Sequence, residues 1–115
     1  MKRVASALLV CSVLLTLSWA AQKAQTFTGE IMDSQCALLG GHQNMIQQGE
    51  SSKECANRCV MIGGKYVLMD SASKTVYQLD DQKKAAPFAG ANVKVTGSFD
   101  TASKTIHVTD IKPGS

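Results

Sequence analysis

An excess of charge of one sign is missing from this chain. Its 115 residues carry 12 Lys and Arg against 9 Asp and Glu. Lys2 and Arg3 stand at the extreme N-terminus, so the remainder is close to neutral at a formal +1. Aromatic residues make up only 5%, and the one tryptophan, Trp19, also lies in the N-terminal stretch. A nucleic-acid surface needs a basic groove with stacking rings, and this composition supplies neither. No Ser/His/Asp order, carboxylate pair at catalytic spacing, phosphate-cradling glycine loop or C-x2-C-H haem motif occurs. An enzyme is therefore not expected. Hydrophobic residues at 44% against 18% charged residues argue against disorder.

The N-terminus reads as a secretory signal peptide over residues 1–20. Met1-Lys2-Arg3 is a positive start, Val4 to Leu17 is an apolar run, and Ser18-Trp19-Ala20 puts small residues at −3 and −1 of a cut after Ala20. The run is shorter than the ~20 residues of a spanning helix. Cys11 falls inside it, preceded by Leu9-Val10, and reads as hydrophobic filler rather than a lipidation site. No second apolar run follows, so no membrane span is expected after signal removal. The predicted destination is the periplasm or the exterior, where disulfides persist.

About 95 residues remain, enough for one small domain. Residues 21–25 read as a polar tether and 26–112 as that domain. Thr26 to Met32 alternates, with Phe27 and Ile31 on one face, as a strand does. Ala37 to Glu50 has no clear period and, at about 14 residues, exceeds ordinary loop lengths. Ser51-x-x-Glu54 is a capping box. It opens a predicted helix from Ser52 to Ile62, stopped by Gly63-Gly64. Cys55, Cys59 and Ile62 then share one inward face. Strands are predicted over Lys65 to Met69, Thr75 to Leu79, Asn92 to Phe99 and Lys104 to Ile111, with a connector at Lys83 to Gly90 and a frayed tail from Lys112. Gly97, on the inward row of its strand, suggests a sharp bend. Asp70-Ser-Ala-Ser-Lys-Thr-Val76 recurs as Asp100-Thr-Ala-Ser-Lys-Thr-Ile106, one hairpin turn used twice. The expected fold is mainly β with one short helix: a small five-stranded OB-like barrel, its Cys-bearing helix inserted between the first and second strands.

Several segments together resemble a known group. These are Gly29-Glu30-Ile31-Met32-Asp33-Ser34-Gln35-Cys36, then His42, then Cys55-x3-Cys59-Val60, then Gly64-Lys65-Tyr66-Val67-Leu68, then Phe88-Ala89-Gly90-x2-Val93-x-Val95-Thr96-Gly97. They are similar to a family of small secreted bacterial proteins, common in Acidobacteria and classed as a domain of unknown function. The resemblance covers most of the chain after the leader. It implies a secreted OB-like domain and carries no established activity.

Cys36, Cys55 and Cys59 remain after processing, an odd number. Cys55 and Cys59 stand one helical turn apart, with Cβ atoms ~5–6 Å apart, too far for the ~3.5–4.5 Å of a disulfide. Cys36, in apparently flexible sequence, can reach either. One reading is a structural disulfide of Cys36 with Cys55 or Cys59, stabilising by roughly 3 kcal/mol through closure of its loop. Another is a metal site of Cys36, His42, Cys55 and Cys59, a Cys3His set that suits zinc. Met45 and Met61 nearby would favour copper(I). A third is thiol redox chemistry, with Cys55 near a helix N-terminus. The loop from Ala37 to Glu50 is the expected contact surface, with Asp33, Met45, Met61, Tyr66 and Tyr77. Asp33 also suits a helix cap, and His107 and Lys83-Lys84 read as solvated. The expected function is non-enzymatic binding of a protein, envelope or small-molecule partner without a cofactor; the alternative is a periplasmic zinc- or copper-binding protein.

Overall fold

The computed structural model describes residues 23–114. The predicted signal peptide, Cys11 and Trp19 lie outside the described residues, as do the first two residues of the predicted tether. Five strands, β1 (Gln25–Asp33), β2 (Tyr66–Asp70), β3 (Thr75–Leu79), β4 (Asn92–Asp100) and β5 (Thr105–Pro113), are joined by short helices. Their hydrogen-bonded order β1-β2-β3-β5-β4 closes on itself because β1 also pairs antiparallel with β4. The contact of β3 with β5 is parallel and short, through Gln78–Thr105 and Leu79–Ile106. Among the described residues no helix is long and apolar enough to cross a membrane.

The two copies of the repeated turn are the β2–β3 and β4–β5 hairpins. In each, the Asp carboxylate accepts from the backbone two residues on: Asp70 Oδ1 from Ala72 N and Asp100 Oδ1 from Ala102 N, both at 3.0 Å. In each, Ser Oγ donates to Thr Oγ1 at 2.9 Å, Ser73 to Thr75 and Ser103 to Thr105. Lys74 and Lys104 both adopt positive φ, 54° and 53°. Identical local chemistry yields identical turns.

The alternation on β4 puts Val93 and Val95 in the barrel core with Ile31, Leu68, Leu79, Ile106, Val108 and Ile111. At Gly97 the ladder slips. Gly97 pairs with Val108 and Thr96 with Asp110, so Thr109 is the extra residue of a bulge. That slip lets both Val108 and Ile111 face inward despite their odd spacing. A Cβ on Gly97 would overlap the His107 carbonyl oxygen. The predicted frayed tail is instead paired. Pro113 lies opposite Val93, and Gly114 N donates to Asn92 O at 2.7 Å.

The predicted helix is α2 (Ser52–Met61), and two further short α-helices, α1 (Ser34–Leu38) and α3 (Gln82–Ala85), accompany it with 3-10 turns at His42–Asn44 and Ala86–Phe88. The capping box at α2 is formed, with Glu54 N donating to Ser51 Oγ and Ser51 N to Glu54 Oε2. Ile62 does not share the inward face of Cys55 and Cys59; it is 70% exposed. The helix ends at Met61, so Ile62 has already left its track. Packing of α2 near β1 gives the sheet a second buried face. Leu68 points into the barrel, while its neighbours Val67 and Met69 join Met32 and the three cysteines in a separate cluster.

Candidate metal centre

Cys36 is not in flexible sequence. Asp33 ends β1 and caps α1, its Oδ1 accepting from Gln35 N at 2.9 Å and Cys36 N at 3.0 Å. An Asp at this position satisfies free helix N–H groups, so Ser34 to Leu38 coils immediately and holds Cys36 rigidly. The chain then turns back through Gly40 and Gly41, whose φ values of 87° and 146° favour glycine. His42 is thereby brought against the strand it left. Its Nε2 lies 2.9 Å from Glu30 Oε2 on β1.

The three thiols are free and at most 1% exposed. Cys36 Sγ is the common member of two groupings. It lies within 4.8 Å of Cys55 Sγ and a ring nitrogen of His42, and those two lie equally near each other. It is also within 4.8 Å of Cys59 Sγ and a carboxylate oxygen of Asp33. Two polar atoms of residues in these groupings, His42 Nδ1 and Asp33 Oδ2, are buried with no hydrogen-bond partner. Each such orphan costs about 1–3 kcal/mol. Gly64 keeps the second one open, since a Cβ there would fall on Asp33 Oδ2.

Burial, then the neighbouring Cys55 and Cys59, push the Cys36 thiol well above its usual range. Burial likewise raises Cys55, although its hydrogen bond with Cys36 and the Arg58 charge work the other way. Their surroundings thus favour the protonated form of Cys36 and Cys55, and a cation beside those two would invert that preference. Arg58 on α2 braces the loop beside them. It donates from Nε and Nη2 to Glu50 at 2.9 and 3.1 Å, from Nη2 to Met45 O at 2.9 Å, and to Cys55 Sγ at 3.9 Å.

Of the four residues singled out in the sequence, Cys36 thus meets His42 and Cys55 in one group and Cys59, with Asp33, in another. No protein-family model, curated protein or solved structure matches this chain. The expected contact surface is not assembled. Asp33 is wholly buried under Gly64, because its carboxylate is consumed as a cap. Met45 packs on the thiol cluster. Met61 is 86% exposed, away from the thiols, because it sits on the outer side of the last turn of α2. Tyr66 donates its hydroxyl to Asn57 Oδ1 at 2.7 Å. Tyr77 packs against Phe27 and Phe99, at ring separations of 5.0 and 5.5 Å. His107 is exposed as expected, but its Nδ1 also contacts Asp80 Oδ2 at 3.1 Å.

Sequence reading missed Glu30, Met32, Met69 and Arg58. Glu30 lies on the row of β1 opposite Phe27 and Ile31, and nothing local signals that His42 folds over that row. The Glu30–His42 pair lines a groove of about 690 Å³ with Thr28, Gln43, Asn92 and Lys94.

Proposed function

We propose that this chain is an exported, OB-like protein that binds a thiophilic metal ion, zinc or copper, among the buried donors gathered around Cys36. One observation carries the reading: free buried thiols group with His42 and with Asp33, each of which has a buried polar atom without a partner. A cation held by Cys36, Cys55 and His42 would give the free imidazole nitrogen a partner. Glu30 supports it too. Metal-binding imidazoles commonly give their second nitrogen to a carboxylate, which fixes the tautomer. A disulfide of Cys36 with Cys55 or Cys59 accounts for less, since it leaves His42 Nδ1 without a partner. The closed five-strand order supports the OB-like reading. The leader supports export.

Native mass spectrometry of the chain, exported to a periplasm and purified without reductant or chelator, tests the reading. One metal ion per chain, lost on denaturation with three alkylatable cysteines, is the expected result. A mass lower by about two hydrogens with no adduct, the signature of one disulfide, would sink it.

A further inference from the structure

The geometry points to a three-coordinate copper(I) centre made by Cys36, His42 and Cys55, with Cys59 outside it. This rests on the metal reading above and narrows it to one ion and one donor set.

The donors gather in threes. Cys36 Sγ, Cys55 Sγ and the His42 ring nitrogen are mutually within 4.8 Å, whereas Cys59 Sγ groups with Cys36 and Asp33 instead. Structural zinc is almost always four-coordinate and tetrahedral. Copper(I) shares zinc's filled d shell but is singly charged and softer, and is satisfied by fewer, softer donors. Two thiolates and an imidazole are such a set.

The surroundings are soft as well. Met32 and Met69 are buried in the same cluster as the three cysteines, and Met45 packs against it. Thioethers join thiolates among the ligands that select copper(I), while zinc draws on Cys, His and carboxylates. Two of these three methionines, Met32 and Met69, come from the outward rows of β1 and β2, so the strands themselves line the cluster with sulfur. The thiols are sealed from water, whereas His42 is 8% exposed and borders the groove. An ion would reach Cys36 and Cys55 past His42, and the dry interior would protect the monovalent state from oxidation.

The test is an anaerobic titration of the purified chain with copper(I) supplied from a chromophoric chelate, alongside a parallel titration with zinc sulfate. One copper(I) per chain is expected, with a three-donor coordination shell by X-ray absorption. Cys55→Ala and His42→Ala should each weaken copper(I) binding by about tenfold or more. Cys59→Ala should leave it within about threefold, well under that tenfold loss. Circular dichroism of each variant checks folding, and the wild-type absorption spectrum gives the donor count without any variant. A four-donor shell, or a Cys59→Ala loss equal to that of Cys55→Ala, would overturn the copper(I) assignment while leaving the metal reading intact. Binding of zinc alone would do the same. If the folded chain with reduced thiols takes up neither ion, both readings fall.

Discussion

His42 presents Nε2 to Glu30 Oε2 at 2.9 Å, while its Nδ1 is buried and unpartnered. The two ring nitrogens thus have unequal surroundings. The carboxylate favours a proton on Nε2, which leaves a lone pair on Nδ1. That lone pair faces the buried side of the ring, away from Glu30.

Removing Glu30 should therefore weaken metal binding without unfolding the domain. Glu30→Ala is expected to lower affinity about 10- to 100-fold, measured by competition with a chelator. The Glu30 side chain is 25% exposed, so its loss leaves no sealed cavity. The melting temperature of the metal-free chain should move little. Unchanged affinity would show that His42 needs no orienting partner.

The Arg58–Glu50 pair predicts an acid-sensitive step. The guanidinium's hydrogen bonds, with help from Gln47 N, hold the Glu50 carboxyl at about 2 against its ordinary 4.5. A carboxyl depressed in the folded chain takes its proton later than in the unfolded chain. Its stabilising effect is complete above about pH 4.5 and is lost as pH falls towards about 2. Urea midpoints compared at about pH 5 and about pH 2.5 should fall less in Glu50→Gln than in the wild type. An equal fall would place the acid sensitivity in other carboxyls.

Gly97→Ala should be among the more damaging single-methyl additions in the barrel. Its Cβ would meet the carbonyl of His107, part of the β5 backbone rather than a side chain that can swing away. Overpacking of this kind costs about 1–3 kcal/mol. Gly114→Ala is a control, since its nearest neighbours, in Asn92, lie at 3.1 Å. Chemical denaturation of both variants should rank Gly97→Ala as clearly the less stable.

Features governed by near neighbours in the chain were legible. The capping box at Ser51, the repeated Asp turns, the bend at Gly97 and the place of the Cys helix between β1 and β2 all rest on residues a few positions apart. Misreadings arose where a residue's role depends on what packs over it. Asp33 suits a cap and a contact surface equally well until Gly64 buries it. Met61 and Met45 look alike as sulfur donors until the end of α2 leaves one in solvent and the other against the thiols. The tail from Lys112 has no local reason to be ordered, and is held only because β4 offers Val93 and Asn92 as partners.

The amino-acid order by itself determined the strands, their turns and α2, because hydrogen bonds and side-chain alternation within a short segment are enough to select them. It also supplied three cysteines and a histidine with the chemistry to bind a soft ion. Only the tertiary structure decided which of those donors meet. Glu30 and His42 are twelve residues apart and belong to different elements, and Cys36 lies on α1 while Cys55 and Cys59 lie on α2. Their convergence follows from burying one face of α2, with Cys36 and His42, against the outer face of β1 and β2. That burial is driven by apolar area, which has no preference for where a thiol or an imidazole nitrogen ends up. The precise position of the donors is a consequence of close packing, and no spacing in the chain encodes it.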